Sequence, residues 1–188
     1  MSSDVTICNA ALAMLGDNPI QTLTGAEKAA KACNAIYAST RDRLLRQMQP
    51  TCARKRTVLA ALAAVPPGSS WGAQFQLPSD YLRLLQVGPD GIRTSYSLEG
   101  GRILAAATSL EIVYVFRNTD PQTWDSQFED LMVHAMAAAL AYPITKSASL
   151  RNDLTAAFER MRKMAGAVNG QESEPEDLPD STIQTARY

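Results

Sequence analysis

Apolar residues recur along this 188-residue chain with two different periods. Near the start, Val5, Cys8, Leu12 and Leu15 fall on one face of a helix that Ser3-Asp4 can cap. Gly16 and the nearby Pro19, in Gly16-Asp17-Asn18-Pro19, stop it. A second, longer helix follows "IQTLTG", with Thr24 and Glu27 at capping-box spacing. Its expected buried face is Ala29, Cys33, Ile36, Tyr37, Leu44 and Met48, and Pro50 ends it.

The period then shortens. "CARKRTVLA" reads as a strand, although its Leu and Ala leave a helix open, and "AVPPGSSWG" is a loop by composition. Trp71 and Phe75 lead into Gln76-Leu77-Pro78, after which Ser79-Asp80 opens what reads as a short amphipathic turn, Tyr81 to Leu85. Glu99-Gly100-Gly101-Arg102 is a hairpin turn between two short strands. From Glu111 to Arg117 both alternating faces are largely apolar, which predicts a central strand.

Helical spacing returns after Asp120-Pro121, a cap followed by Pro at the first helical position. Trp124, Phe128, Leu131, Met132, Ala135, Met136, Ala139 and Leu140 form its stripe, and Pro143 is expected to break it. A last helix carries Leu150, Leu154, Ala157, Phe158, Met161 and Met164. From Gly170 onward come five acids, two prolines and few large apolar residues, a segment expected to be disordered when alone. The expectation is an α+β domain over residues 1–169 and a flexible tail over 170–188. The domain is mainly a bundle of about four helices, with a small antiparallel β segment inserted between two helical pairs.

Composition narrows the function classes. A hydrophobic content of 46% supports a sizeable core, and a net charge of -1 requires any polyanion contact to be local. Cys8, Cys33 and Cys52 have no metal-ligand spacing, so packed, reduced thiols made in an intracellular compartment are expected. No stretch reads as a signal peptide or membrane span. The sole histidine, His134, has no sequence partner for a triad or metal set and reads as half-buried and structural. Asp125, Glu129 and Asp130 offer a carboxylate pair, but acids at a helix start are explained by the helix dipole. The glycines form no phosphate-binding pattern, and no enzyme signature, cofactor site or metal site emerges.

One charge feature stands out. Between Ala26 and Arg56, eight bases (Lys28, Lys31, Arg41, Arg43, Arg46, Arg54, Lys55 and Arg56) face two acids, Glu27 and Asp42. This is either a solvated helix face with a charge-protected strand edge, or a surface for DNA phosphates or an acidic partner. Arg54, Lys55 and Arg56 are the candidate DNA-channel or partner contacts.

The ordered segments "VTICNAALAMLGDNPIQTL", "AAKACNAIYASTRDRLLRQ", "CARKRTVLA", "FQLPSDYLRLLQV" and "RNTDPQTWDSQFEDLMVHAMAAALAYPITKS" together resemble the head-to-tail adaptor family of short-tailed phages, the tail tubular protein A type. The likeness runs over nearly the whole chain up to the tail. It implies a structural virion protein made in the host cytoplasm, without enzymatic activity. Such a protein forms a ring of about twelve copies between the portal ring and the downstream nozzle protein, around a double-stranded DNA channel. It also implies that the C-terminal segment engages the portal, with Leu178, Ile183 and Tyr188 as candidate anchors. In that reading Ser79 or Asp80 caps the turn, Tyr81, Leu82 and Leu85 pack it on the helices, and the corner joins the helical and β parts. The compact length puts fibre attachment in question. Two other classes are a peptidoglycan-degrading connector and a DNA-binding packaging protein.

Overall fold

The computed structural model describes residues 2–64, 70–89, 92 and 94–172. Among them are helices α1 (Asp4–Met14), α2 (Lys28–Met48), α3 (Ser126–Thr145) and α4 (Ala148–Glu172). Between α2 and α3 lie strands β1 (Arg54–Ala60), β2 (Ala73–Gln76), β3 (Tyr81–Val87), β4 (Tyr96–Glu99), β5 (Arg102–Ala105) and β6 (Ser109–Phe116). The fold is α+β, with the antiparallel strands inserted between two helical pairs. The strands form two sheets, ordered β1-β6-β3 and β2-β5-β4. The helices cover one face of the first sheet and the second sheet covers the other. Helix α4 extends through Glu172, past the expected start of the tail at Gly170. The candidate anchors Leu178, Ile183 and Tyr188, and part of the "AVPPGSSWG" loop, lie outside the described residues.

The first helix follows its sequence closely. Ser3 caps it by accepting from the Thr6 amide at 3.1 Å. At its end, Gly16 takes φ +70, and the amides of Gly16 and Asp17 donate to Ala13 and Leu12 carbonyls, closing a Schellman turn. Asn9, which interrupts the apolar face, grips both backbone groups of Ile20 at 2.8 and 3.0 Å. That clamp folds the Gly16–Pro19 turn back against α1.

Three helix boundaries differ from expectation. Helix α2 begins at Lys28 behind Glu27, with no side-chain cap, because Thr24 Oγ1 is turned toward Thr22 Oγ1 at 3.3 Å. Asp120-Pro121 starts a 3₁₀ turn, Pro121–Thr123, instead of α3, and Asp125 caps α3 by accepting from the Phe128 amide at 2.7 Å. Pro143 does not break α3, which runs on to Thr145. Pro143 and Ala139 are both exposed, on a face of α3 where water can reach a carbonyl that loses its amide donor. Ala137, rather than Ala139, completes the buried stripe. Met164 likewise is exposed, and Ala165 is the buried residue in that turn of α4. Helix α3 touches all three other helices, and its alanines let them approach closely.

The largest correction is the corner. Tyr81–Val87 is a strand, β3, and Asp80 caps no helix. The pairing of β3 with β6 shifts between Tyr81 and Arg83 and again between Leu84 and Gln86, leaving Leu82 and Leu85 as extra residues at two bulges. Each bulge lengthens the ordinary period of two to three. Tyr81, Leu84 and Val87 therefore all reach the core between the sheets, while Leu82 and Leu85 reach the helical core. The corner does join the helical and β parts. Strand β6 is central, as its two apolar faces predict: Ile112 and Tyr114 pack toward the second sheet, and Val115 toward the helices. Gly100 and Gly101, at φ +55 and +75, form the expected hairpin turn between β4 and β5.

Because Leu82 is 9% exposed and bridges two layers, Leu82→Ala should lower unfolding free energy by about 2–5 kcal/mol. Val58→Ala, on an exposed position of β1, should change it by about 0.5 kcal/mol or less. Equal effects in urea titrations would contradict the bulge assignment.

Candidate functional site

The bases at the start of β1 do not act together. Neighbouring residues of a strand point to opposite faces. Lys55 pairs in register with Tyr114 and points toward the second sheet, whereas Arg54 and Arg56 pair with Val115 and Val113 and point to the helix side. On the Lys55 side, Asp80 accepts from Lys55 Nζ at 3.0 Å and from the Tyr114 hydroxyl at 2.9 Å. Lys55 also lies 5.4 Å from the centre of the Phe116 ring. Partial burial opposes ionisation of Asp80, but the hydrogen bonds from Lys55 and Tyr114 outweigh it and hold the carboxyl below its usual range. Burial, reinforced by the bond to Asp80, pushes the Tyr114 hydroxyl up to about 12. The Arg117 amide donates to the Asp80 carbonyl at 2.7 Å, so one residue ties together β1, β3 and β6.

On the other side, arginines converge where α2 ends against the first sheet. Arg46 Nη1 donates to the Leu82 carbonyl at the first bulge, and Arg83 Nη1 donates back to the Arg46 carbonyl at 3.3 Å. Gln49, the left-handed residue that ends α2, gives its carbonyl to Arg54 Nε at 3.2 Å. Turning the Gln49 side-chain amide over, so that its oxygen rather than its nitrogen faces Arg83, would let it accept from Nη1 at 2.8 Å. Positive charge beside the carbonyl end of a helix is favourable, so this clasp stabilises the junction. Arg43, Arg46, Arg54, Arg56 and Arg83 are all exposed nonetheless.

The remaining bases of the stretch are elsewhere. Arg41 is buried and donates to Asp42 at 2.8 and 2.9 Å, and Asp42 also accepts from Arg117 Nε at 2.7 Å. Lys28 stands at the far end of α2, about 27 Å from Arg46 by helical rise. It lines an open groove of about 520 Å³ together with Asp17, Asn18 and Glu27. The sequence-contiguous excess of charge is thus divided among four separate environments. Arg83 joins the arginine face from outside that stretch, hidden in sequence among the leucines of the corner.

The catalytic candidates are occupied structurally. Asp125 caps α3, and Glu129 accepts from the Ser2 hydroxyl. His134 is half-buried, with Nδ1 2.9 Å from the Asp130 carbonyl. Burial pushes the Cys52 thiol up to about 11, and the hydrogen bond between Cys8 and Cys33 together with burial raises the Cys8 thiol. Thiols so raised stay protonated at neutral pH. Among the described residues no group of three or more His, Cys, Asp or Glu is placed to hold a metal, and no helix is long and apolar enough to cross a membrane. Comparison with protein-family models gives no match, and neither does comparison with curated proteins.

Asp80→Ala should cost about 1–3 kcal/mol, because it leaves the Tyr114 hydroxyl, on a residue 1% exposed, without its acceptor. The folded-state pKa of Asp80 is lowered, so its contribution is present above the ordinary value of 3.8 and is lost as pH falls through the folded value. Asp80→Asn should therefore flatten the acid limb of stability against pH. An acid limb identical to that of the unaltered protein would contradict the role assigned to Asp80.

Proposed function

We propose that this chain is a ring-forming head-to-tail adaptor of a short-tailed phage, joining a portal ring to a nozzle protein around double-stranded DNA. The resemblance of its ordered segments to that family motivates the reading. The observation that supports it best is the corner segment, which carries much of that resemblance and serves here as a joint between two layers. A ring closes only if every subunit presents its two contact surfaces at one fixed angle. Two bulges and a two-way arginine clasp hold the sheets and helices at such an angle. In this reading Leu178, Ile183 and Tyr188 anchor the C-terminal segment on the portal, and the exposed arginines approach passing DNA or an acidic neighbour.

A second reading, a DNA-binding packaging protein, is favoured by the arginine face alone. The two differ in grip. A channel must let DNA slide, so an adaptor should bind free duplex weakly, whereas a packaging protein should hold it.

Native mass spectrometry of the purified protein, alone and with portal rings, tests the adaptor reading. The protein should be monomeric at micromolar concentration and assemble on the portal, because a segment that orders on its template defers assembly until the template is present. Stable rings of free protein, or no association with any short-tailed phage portal, would count against it. Removing residues 173–188 should leave the melting temperature nearly unchanged but abolish most portal binding. Free duplex should bind weakly, with a slope of log affinity against log salt of about -4 if four or five arginines meet phosphates. A nanomolar, sequence-specific complex at physiological salt would favour the packaging reading instead.

A further inference from the structure

We infer that β4 is a pairing edge for a second copy of this chain, the two β4 strands joining antiparallel about a two-fold axis at Ser97. This inference goes beyond the adaptor reading and does not depend on it, because a two-fold contact closes at two copies and builds no ring.

The first support is apolar surface left open on an inner face. Tyr96 and Leu98 pair in register with Ala105 and Ile103 of β5, so all four side chains stand on the face that packs against the first sheet. Ala105 and Ile103 are fully buried there, whereas Tyr96 and Leu98 are each 44% exposed. Strand β4 overhangs the core between the sheets.

The second support is the edge itself. Among the described residues β4 pairs only with β5. Elsewhere the strand edges are tied or guarded. The Ala61–Phe75 bridge and the Leu62 amide, which donates to the Gln74 carbonyl at 2.8 Å, tie the end of β1 to β2. Two bulges distort β3, and bases line the start of β1. Strand β4 has no bulge, no proline and a single charge, Glu99, whose carboxylate accepts from the Ser97 hydroxyl at 2.9 Å.

The backbone phase selects the occupant. Gly100 and Gly101 both take positive φ, the two-residue turn in which Glu99 and Arg102 exchange hydrogen bonds. Antiparallel pairs alternate, so Ser97 and Glu99 direct their backbone groups to β5, while those of Tyr96 and Leu98 point outward. A second β4 centred on Ser97 sets Tyr96 opposite Leu98 twice. That register satisfies every outward amide and carbonyl of Tyr96 and Leu98 on both strands, and it packs a ring against a leucine on each overhang. Glu99 then stands opposite Ser95, and no like charges meet. The strand complements itself. Its four residues bury far less than the roughly 1,200 Å² of a standard interface, so the pairing is weak and leaves the protein monomeric at micromolar concentration.

Two measurements on the full-length chain test this. Sedimentation equilibrium should show monomer passing to dimer with a midpoint at about 0.1–1 mM. Leu98→Lys, at an exposed position, should raise that midpoint at least about tenfold and leave the melting temperature nearly unchanged. An unchanged midpoint in Leu98→Lys would overturn the inference. In the pairing, Ser97 faces its own copy as a non-hydrogen-bonded pair with Cα atoms about 4.5 Å apart, within disulfide reach. With Cys52→Ser, which leaves only the buried Cys8 and Cys33, Ser97→Cys should therefore oxidise to a linked homodimer at millimolar protein. It should do so about ten times faster than Val58→Cys, on a position of β1 that is 61% exposed. A rate no greater than that of Val58→Cys would overturn the inference and assign the edge to an unlike strand. Neither result bears on portal-dependent assembly, which the mass measurement decides.

Discussion

Strand β3 must serve two cores at once, and the rest of the architecture depends on how it does so. Its pairing with β6 holds it in the first sheet, yet its side chains reach both the helical core and the core between the sheets. A regular strand alternates strictly, so Leu82 and Arg83 could not both turn to the helix side. The two bulges relax that alternation. The carbonyl at the first bulge then becomes an acceptor for Arg46, and Arg83 returns the bond to the end of α2. Backbone geometry, apolar burial and the charge at the end of α2 are satisfied by the same few residues.

This explains what the sequence reveals and what it hides. The Schellman turn at Gly16, the hairpin at Gly100-Gly101 and the central strand β6 were legible because each rests on local rules: positive φ, turn chemistry and two-sided burial. Strand β3 was misread as a helical turn because bulges every three residues imitate the spacing of a helix. The bulges are a tertiary feature, set by β6 and α2. Pro143 misled for a related reason, since its effect depends on whether the carbonyl it strands faces water.

The candidate site was legible as composition but not as geometry. Arg54, Lys55 and Arg56 are adjacent in sequence, yet the strand sends Lys55 to Asp80 and the two arginines to the opposite face. Arg41 is absorbed by Asp42, and Arg83 enters from a segment with no basic run of its own. Contiguous charge in a sequence therefore overstates some partners and misses others. The surviving surface is smaller than the stretch suggests, and it is built on the joint. A partner binding there would sense the angle between the layers.

Native-state hydrogen exchange tests the joint most directly. If the bulges and the arginine clasp make β3 and the end of α2 one cooperative unit, the protected amides of β3, β6 and the last turns of α2 should open together. They should share one free energy close to that of global unfolding, with the β4–β5 hairpin opening at lower cost. Exchange of β3 together with that hairpin, while α2 stays protected, would contradict this account.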